Sequence, residues 1–207
     1  ERNAVHRSGT REHDIVEGPD ELALRLAGLM QTDLMQAISY LLSRRDVDST
    51  RIAAGGYSMG SFVLAIAGAI EPRLHACVLV GGGNLDGPGG IWDSSKPMCQ
   101  GTPYRALSFL GDRGAAIYAM HASRGPTLIY NGTADTTVGM PETGKPFFQD
   151  LQRRVAALLG HDADIFETGF VPDVAHRPHF VTRPVVLWLN RRMGFPRWSD
   201  AEIEAMP

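Results

Sequence analysis

A glycine–serine–glycine motif at residues 56–60, G-Y-S-M-G, constrains the fold more than any other stretch of this chain. Residues 51–57 form a short, mostly apolar run up to the serine, which is typical of a buried strand. Residues 61–70, S-F-V-L-A-I-A-G-A-I, have the length and alanine content of a buried helix, and a proline follows where that helix must stop. The motif therefore lies at a strand-to-helix junction.

This junction makes Ser58 a candidate nucleophile and explains both glycines. Strand and helix pass so close that side chains at Gly56 and Gly60 are expected to collide. The turn places Ser58 at the start of a helix, where free N–H groups and the helix dipole favour developing negative charge. The backbone N–H of Met59 is then one expected donor of an oxyanion hole.

A serine hydroxyl needs a base that takes its proton and an acid that orients the base. Residues 126–130 predict a later strand, and Asp135 follows three residues beyond the glycine that ends it, so Asp135 is the candidate acid. Four other aspartates are less suitable, because they fall within or just after the next helix, predicted over 145–159, or too close to the candidate base: Asp150, Asp162, Asp164 and Asp173.

Two histidines lie in the loop 170–180, between a last strand predicted over 163–169 and a helix predicted over 183–193. His176 is the preferred base, because it comes first after the strand and next to a small alanine. His179 competes with it, but approaches the closing helix, where it can simply pack. The pair could also bind a metal, yet no H-E-x-x-H pattern or third ligand accompanies it. We therefore expect no metal and no organic cofactor.

The order of nucleophile, acid and base along alternating strands and helices resembles the α/β-hydrolase superfamily over nearly the whole chain. Three motifs carry the resemblance: G-Y-S-M-G at 56–60, N-G-T-A-D at 131–135 and A-H-R-P-H-F at 175–180. Residues 33–52 and 176–189 resemble parts of bacterial dienelactone-hydrolase-like and acetyl xylan esterase-like proteins. Dienelactone hydrolases proper have cysteine as the nucleophile, so the resemblance, with Ser58, implies an esterase.

The resemblance implies one catalytic domain over residues 1–207, with a mostly parallel sheet and helices on both faces. Ser58 would attack the carbonyl of an acetyl or other short-acyl ester, of a small molecule or a carbohydrate, with His176 as base and Asp135 as its orienting acid. Tyr57 and Trp92 are candidate walls of the substrate pocket. Two alternatives remain open: a peptidase of similar architecture, and a non-catalytic binding protein with the hydrolase fold.

Composition disfavours other kinds of partner. The formal net charge is −3 and the isoelectric point is near 6.2, so no basic field favours nucleic acid. No apolar run approaches the roughly 20 residues of a membrane span, and a soluble protein is expected. The two cysteines, Cys77 and Cys99, have no disulfide-framework or metal-ligand spacing, and Cys77 lies in an apolar run that predicts a packed thiol.

The sequence predicts fewer strands than the resemblance requires. We find four: 51–57, 76–81, 126–130 and 163–168. Residues 1–15 are polar, and the first periodic segment, 22–42, is already the helix before the motif, with its inward face predicted from Leu22, Leu26, Leu29, Ala37, Ile38 and Leu41. Such a sheet would leave the strand before Ser58 at an exposed edge. We therefore expect these residues to be a C-terminal portion, with strands supplied by a preceding segment of roughly 60 to 150 residues or by a second chain.

Overall fold

The computed structural model describes residues 20–86, 104, 106–161, 166–195 and 197–207. Strands and helices alternate along these ranges: α1 Asp20–Ser43, β1 Ala53–Tyr57, α2 Met59–Ile70, β2 Ala76–Val80, α3 Arg113–Ala122, β3 Thr127–Gly132, α4 Met140–Leu159, β4 Phe166–Val171, α5 Arg183–Met193 and α6 Asp200–Glu204. A short 3-10 turn, Leu107–Leu110, precedes α3. Within the described part of the chain, no helix combines the length and apolar character that a membrane crossing needs.

The four strands form one parallel sheet in the order β1-β2-β3-β4, which confirms the predicted α/β class. β2 and β3 are buried along their whole length, as expected of central strands with helices on both faces. β1 pairs with β2 from Ala53 opposite Ala76 to Tyr57 opposite Val80. Among the described residues no strand pairs with the other side of β1, and Gly55 is exposed there.

Two hydrophobic clusters cover the two faces of the sheet, because successive side chains of a strand point to opposite sides. The first lies beneath α1 to α4 and includes Phe62, Leu79, Tyr118, Ile129, Phe148 and Phe166. The second lies beneath α5 and includes Val78, Val80, Leu128, Tyr130, Val185 and Trp188. In β2, Leu79 belongs to the first cluster, whereas Val78 and Val80 belong to the second. The two faces of this strand are therefore buried against different clusters.

Several predicted boundaries are wrong by a few residues. β4 runs on to Val171, beyond its predicted end, while the predicted start at 163–165 lies outside the described residues. α4 begins at Met140 instead of residue 145, since a first helical turn precedes a kink at Gly144, where φ is 60°, and the helix continues beyond that kink. The terminal helix α6, with its Ser199–Glu202 capping box, is an element that the sequence analysis missed.

The inward face of α1 also differs from its prediction. Leu29, Ala37 and Leu41 are exposed, whereas Ile38 is buried and Leu34 and Leu42 pack against the first cluster. Spacing of four residues therefore defines the inward stripe at Leu34, Ile38 and Leu42. The side chains of Leu22 and Leu26, which belong to the predicted set, lie outside the described part of the structure.

Candidate active site

The turn between β1 and α2 holds Ser58 in a strained backbone conformation, with φ 54° and ψ −120°. The N–H of Ser58 donates a hydrogen bond to the carbonyl of Val80 on β2, at 2.9 Å. The carbonyl of Ser58 accepts two bonds from Ser61, one from its N–H at 2.9 Å and one from its hydroxyl at 2.7 Å. The neighbouring strand and the first turn of α2 thus hold this conformation from both sides.

The two motif glycines differ in what surrounds them. A Cβ at Gly56 would lie 2.3 Å from the carbonyl oxygen of Gly60, so the collision predicted at Gly56 exists. A Cβ at Gly60 would meet no described heavy atom within 4 Å, so the collision predicted there is wrong. Only Gly56 is crowded, because its Cβ would meet the backbone of Gly60 and Ser61 at the start of α2, whereas a Cβ at Gly60 would point into open space among the described residues.

A chain of two hydrogen bonds joins three side chains from distant parts of the sequence. His176 Nε2 lies 2.8 Å from Ser58 Oγ, and His176 Nδ1 lies 2.7 Å from Asp135 Oδ2. Because a carboxylate only accepts, Nδ1 carries the proton in this bond, and in a neutral ring Nε2 is left to accept the serine hydroxyl proton. The structure thus brings together the three residues that the sequence analysis singled out as nucleophile, base and acid.

Asp135 is almost fully buried, with 1% of its surface exposed, and its second oxygen is held by the protein backbone. Asp135 Oδ1 accepts the N–H of Thr137 at 3.0 Å and the N–H of Val138 at 3.4 Å. The N–H of Met140, at the start of α4, donates to the backbone carbonyl of Asp135 at 2.8 Å. The turn between β3 and α4 therefore fixes which carboxylate oxygen faces the imidazole.

The loop that contains His176 closes tightly over the end of β3. A Cβ at Gly132 would lie 2.1 Å from the carbonyl oxygen of Val174, which leaves no room for any side chain there. The N–H of Ala134 donates to that same carbonyl at 3.0 Å. Only a glycine at the end of β3 lets the backbone two residues before His176 reach this position.

The competing residues lie elsewhere. His179 packs edge-on against Tyr130, with ring centroids 6.3 Å apart, and burial lowers its pKa from the usual 6.5. Asp150 forms salt bridges with Arg153 and Arg154 on α4, and the N–H of Asp173 donates to Thr133 Oγ1 in a turn. Asp162 and Asp164 lie outside the described residues.

The remaining predicted site residues have three different outcomes. Met59 is the first residue of α2, so its N–H belongs to the helix N-terminal groups that lack an intrahelical acceptor. Tyr57 packs its ring against the imidazole of His176, with centroids 4.8 Å apart, a contact that the sequence analysis missed. Trp92 lies outside the described residues.

A second contact missed by the sequence analysis ties the ends of β2 and β3 together. The side chain of Asn131, fully buried, accepts the N–H of Gly82 and donates to its carbonyl, both at 2.9 Å. The sequence signal for this contact is an asparagine near the end of a mostly apolar strand. A polar side chain that is buried there needs hydrogen-bond partners, which a neighbouring strand can supply.

A cavity of about 640 Å³ extends from Ser58 along the edge of β1 that no described strand pairs with. Its other walls are mostly apolar side chains of α1 and α2: Met30, Leu34, Val63 and Leu64. The cavity thus borders the edge at which the sequence analysis expects additional strands.

The described part of the site contains no set of metal ligands. Within the described ranges, no three His, Cys, Asp or Glu side chains gather closely enough to hold a metal ion. The described cysteine, Cys77, is buried in β2, and this burial raises the pKa of its thiol to about 12. Cys77 therefore packs as an apolar side chain, as predicted.

Comparisons with known proteins agree with this architecture. Residues 20–177 match the model of the prolyl oligopeptidase family. Among solved structures, methylesterase BT1017 aligns with a TM-score of 0.59 and 22% identity over 86% of this chain and 38% of its own. The acylaminoacyl peptidase of Pyrococcus horikoshii aligns with a TM-score of 0.51 and 15% identity over 83% of this chain and 29% of its own.

The chain thus spans less than half the length of either of these two proteins. None of the curated proteins compared with it matches. The structural likeness confirms the α/β-hydrolase fold that the three motifs predict.

Proposed function

Because the chain belongs to the prolyl oligopeptidase family, a family of serine hydrolases, we propose that Ser58 is the nucleophile that takes up the acyl group of a substrate. The observation behind this proposal is the hydrogen-bond chain from Ser58 Oγ through the imidazole of His176 to the carboxylate of Asp135. The bond between Ser58 and His176 has a length suited to proton transfer, and the bond between His176 and Asp135 has a length suited to orienting the imidazole.

The proposed reaction starts when Ser58 Oγ attacks the carbonyl carbon of an ester and its proton passes to His176 Nε2. Asp135 keeps the proton on Nδ1 and stabilises the imidazolium that forms. The oxyanion of the tetrahedral intermediate would accept the N–H of Met59 at the N-terminus of α2. His176 then returns its proton to the departing alcohol oxygen, which leaves the acyl group bonded to Ser58.

The second half of the reaction releases the acid. His176 takes a proton from a water molecule, and the resulting oxygen attacks the acyl carbonyl. When the tetrahedral intermediate collapses, the bond to Ser58 Oγ breaks and this oxygen regains its proton from Nε2. The products are a carboxylic acid and the unmodified Ser58.

Among acyl substrates, we propose a carboxylic ester with an acetyl or other short acyl group, of a small molecule or a carbohydrate. The support is the sequence resemblance to acetyl xylan esterase-like proteins and the fold shared with a methylesterase. A peptidase is the second candidate, because the matching family model is that of prolyl oligopeptidases and the fold is shared with an acylaminoacyl peptidase. The same three side chains serve either substrate.

A purely binding role is the third candidate, and the geometry of Ser58 opposes it. A non-glycine residue at φ 54° costs free energy, of order 1–3 kcal/mol, and such strain is concentrated at functional turns. Binding alone would not require this conformation together with a base in hydrogen-bond contact with the hydroxyl.

A fluorophosphonate probe tests whether Ser58 is an activated nucleophile. We expect the wild-type chain to be labelled, Ser58→Ala to remain unlabelled, and His176→Ala to react more slowly by roughly 10³-fold or more. Ser123→Ala and His179→Ala are matched controls, since Ser123 is exposed at the end of α3 and His179 packs against Tyr130. Labelling of Ser58→Ala at the wild-type rate would refute the assignment.

Paired substrates then separate the two enzymatic candidates. The same acyl group is offered as a 4-nitrophenyl ester and as a 4-nitroanilide, with peptide anilides added as a third series. An esterase should have a far higher kcat/KM for the ester and negligible turnover of peptide anilides. Peptide anilide turnover that matches or exceeds ester turnover would instead identify a peptidase.

A further inference from the structure

We propose that Tyr57 is a positioning residue for His176, and that its ring forms one wall of a slot that keeps the imidazole between Ser58 and Asp135. The proposal rests on the proposed function, since it gives Tyr57 a role only if His176 acts as the base. Tyr57 also lines the cavity beside Ser58, so the proposal adds a supporting role to its predicted role as a candidate substrate wall.

The first observation is the contact between the two rings. Their centroids are 4.8 Å apart and their planes are inclined by 33°, so the two rings are in tilted contact. Tyr57 is the last residue of β1, paired with Val80, and it packs against the second hydrophobic cluster. The support therefore comes from a strand, whereas the imidazole comes from a loop.

The second observation is the space left by Gly81, just beyond the end of β2. A Cβ at this position would lie 3.0 Å from Tyr57 Cε2 and 3.1 Å from His176 Cε1. The φ of Gly81 is 63°, a conformation that favours glycine. Both rings thus border the space that a side chain at position 81 would occupy. We call the space between Tyr57 and Gly81, where the imidazole of His176 lies, the imidazole slot.

The loop position of His176 gives this slot a purpose. Its side chain is 21% exposed, and in the resting state the two hydrogen bonds hold the ring. During acyl transfer the bond to Ser58 Oγ is lost when Nε2 is protonated, and Nε2 must then donate to the leaving group. The contact with Tyr57 does not depend on that bond, so it can keep the ring in place through this step.

The aromatic face suits the charged form of the base as well. An imidazolium lying over a tyrosine face is attracted by the electrons of the ring. Burial, and then the nearby charge of Asp135, raise the pKa of Tyr57 above its usual 10, so the phenol stays neutral at neutral pH. We therefore assign the effect to the ring and expect little contribution from the hydroxyl.

Three variants test the proposal: Tyr57→Phe, which keeps the ring, Tyr57→Leu, which removes it, and Tyr130→Leu as the matched control. Tyr130 belongs to the same hydrophobic cluster but is not among the side chains bonded or stacked on His176. We expect Tyr57→Phe to react with the fluorophosphonate within about threefold of wild type. Tyr57→Leu should react roughly 10- to 100-fold more slowly, as expected when a catalytic group is misplaced by about 1 Å.

Steady-state kinetics with 4-nitrophenyl acetate distinguish positioning from substrate contact. A positioning role predicts that Tyr57→Leu loses kcat while KM changes little, and that Tyr130→Leu loses stability to urea but retains kcat. The far-downfield proton resonance of a strongly bonded imidazole N–H gives an independent measurement. We expect this resonance in wild type, Tyr57→Phe and Tyr130→Leu, and its broadening or loss in Tyr57→Leu.

The outcomes separate the two proposals. If Tyr57→Leu is labelled at the wild-type rate, or if KM rises with kcat unchanged, the positioning role is wrong while the serine hydrolase remains. If wild type itself is not labelled, the proposed function fails first. Should Tyr57→Leu not fold, Tyr57→Met provides the non-aromatic comparison with Tyr57→Phe, and wild-type kinetics in it would equally refute the slot.

Discussion

A buried histidine remote from Ser58 should make this protein sensitive to mild acid. His121, on α3, has 2% of its surface exposed, and both ring nitrogens have partners. Nε2 lies 2.6 Å from the carbonyl of Ala65, which can only accept, so Nε2 has the proton of the neutral ring. Nδ1 then accepts the hydroxyl proton of Thr127 on β3, at 2.9 Å.

The magnitude follows from the pKa of this histidine. Burial, assisted by the positive charge of Arg124, lowers the pKa of His121 from 6.5 to about 4, against the opposing effect of the bond to Ala65. Each unit of pKa difference between the folded and the unfolded chain corresponds to about 1.4 kcal/mol. The free energy of unfolding is therefore lower by about 3 kcal/mol in acid, where the unfolded chain binds this proton, than at neutral pH. Between pH 6.5 and 4 the unfolded chain binds this proton and the folded chain does not. The free energy of unfolding must therefore fall as the pH drops through this window and level off below it.

Urea unfolding of wild type and His121→Gln, at pH values from 7.5 to 4.5, measures this contribution. Glutamine is neutral throughout and keeps an N–H that can reach the carbonyl of Ala65. We expect His121→Gln to be less stable at pH 7.5, because its packing is imperfect, but to lose about 2–3 kcal/mol less than wild type on acidification. Groups that titrate in both proteins cancel in this difference.

Two results would refute the reasoning. Parallel pH profiles for wild type and His121→Gln would show that His121 does not titrate differently in the folded and unfolded chains. A wild-type free energy of unfolding that increased as the pH fell from 6.5 to 4.5, relative to the variant, would reverse the sign of the pKa shift.

Three further predictions concern the proposed site and its turn. Asp135→Asn should lower kcat for an ester roughly 10³-fold or more, while Asp173→Asn, in a turn whose positive φ suits asparagine, retains it. Gly56→Ala should lower the free energy of unfolding by about 3 kcal/mol or more because its Cβ meets backbone, whereas Gly60→Ala should cost little; urea unfolding compares them. EDTA should leave the fluorophosphonate labelling rate unchanged, and loss of labelling that Zn²⁺ restores would contradict the expectation that no metal is needed.

Features set by local sequence could be predicted well. The turn at Ser58 depends on residues next to one another, and β1 and α2 begin and end around it as the motif requires. Helix α5, Arg183–Met193, has its predicted bounds, because Pro184 lies in its first turn and Gly194 follows with φ 60°. In each case the residues that predict the feature lie within a few positions of the turn or helix end that they determine.

Glycines that serve a long-range contact cannot be told apart by sequence from glycines that end a helix. From the sequence, residues 104–122 are expected to be helical, in two pieces that are split at Gly111 and Gly114. Gly111, with φ 71°, does end the 3-10 turn, but Gly114 lies inside α3. A Cβ at Gly114 would lie 2.7 Å from the carboxylate of Asp86, so this glycine admits a side chain from far along the chain. The sequence of α3 alone therefore does not predict this contact.

The same limit applies to the two loop histidines, and here the structure supplies the missing reason. His179 lies three positions after His176, and sequence order favours the first only by its nearness to the strand. The carbonyl of Val174 rests over Gly132, which anchors the loop at the end of β3. From that anchor His176 reaches the imidazole slot beside Tyr57, whereas His179 is taken onward to pack against Tyr130. A glycine in one strand and a tyrosine at the end of another thus determine which histidine meets Ser58, although neither belongs to the hydrogen-bond chain itself.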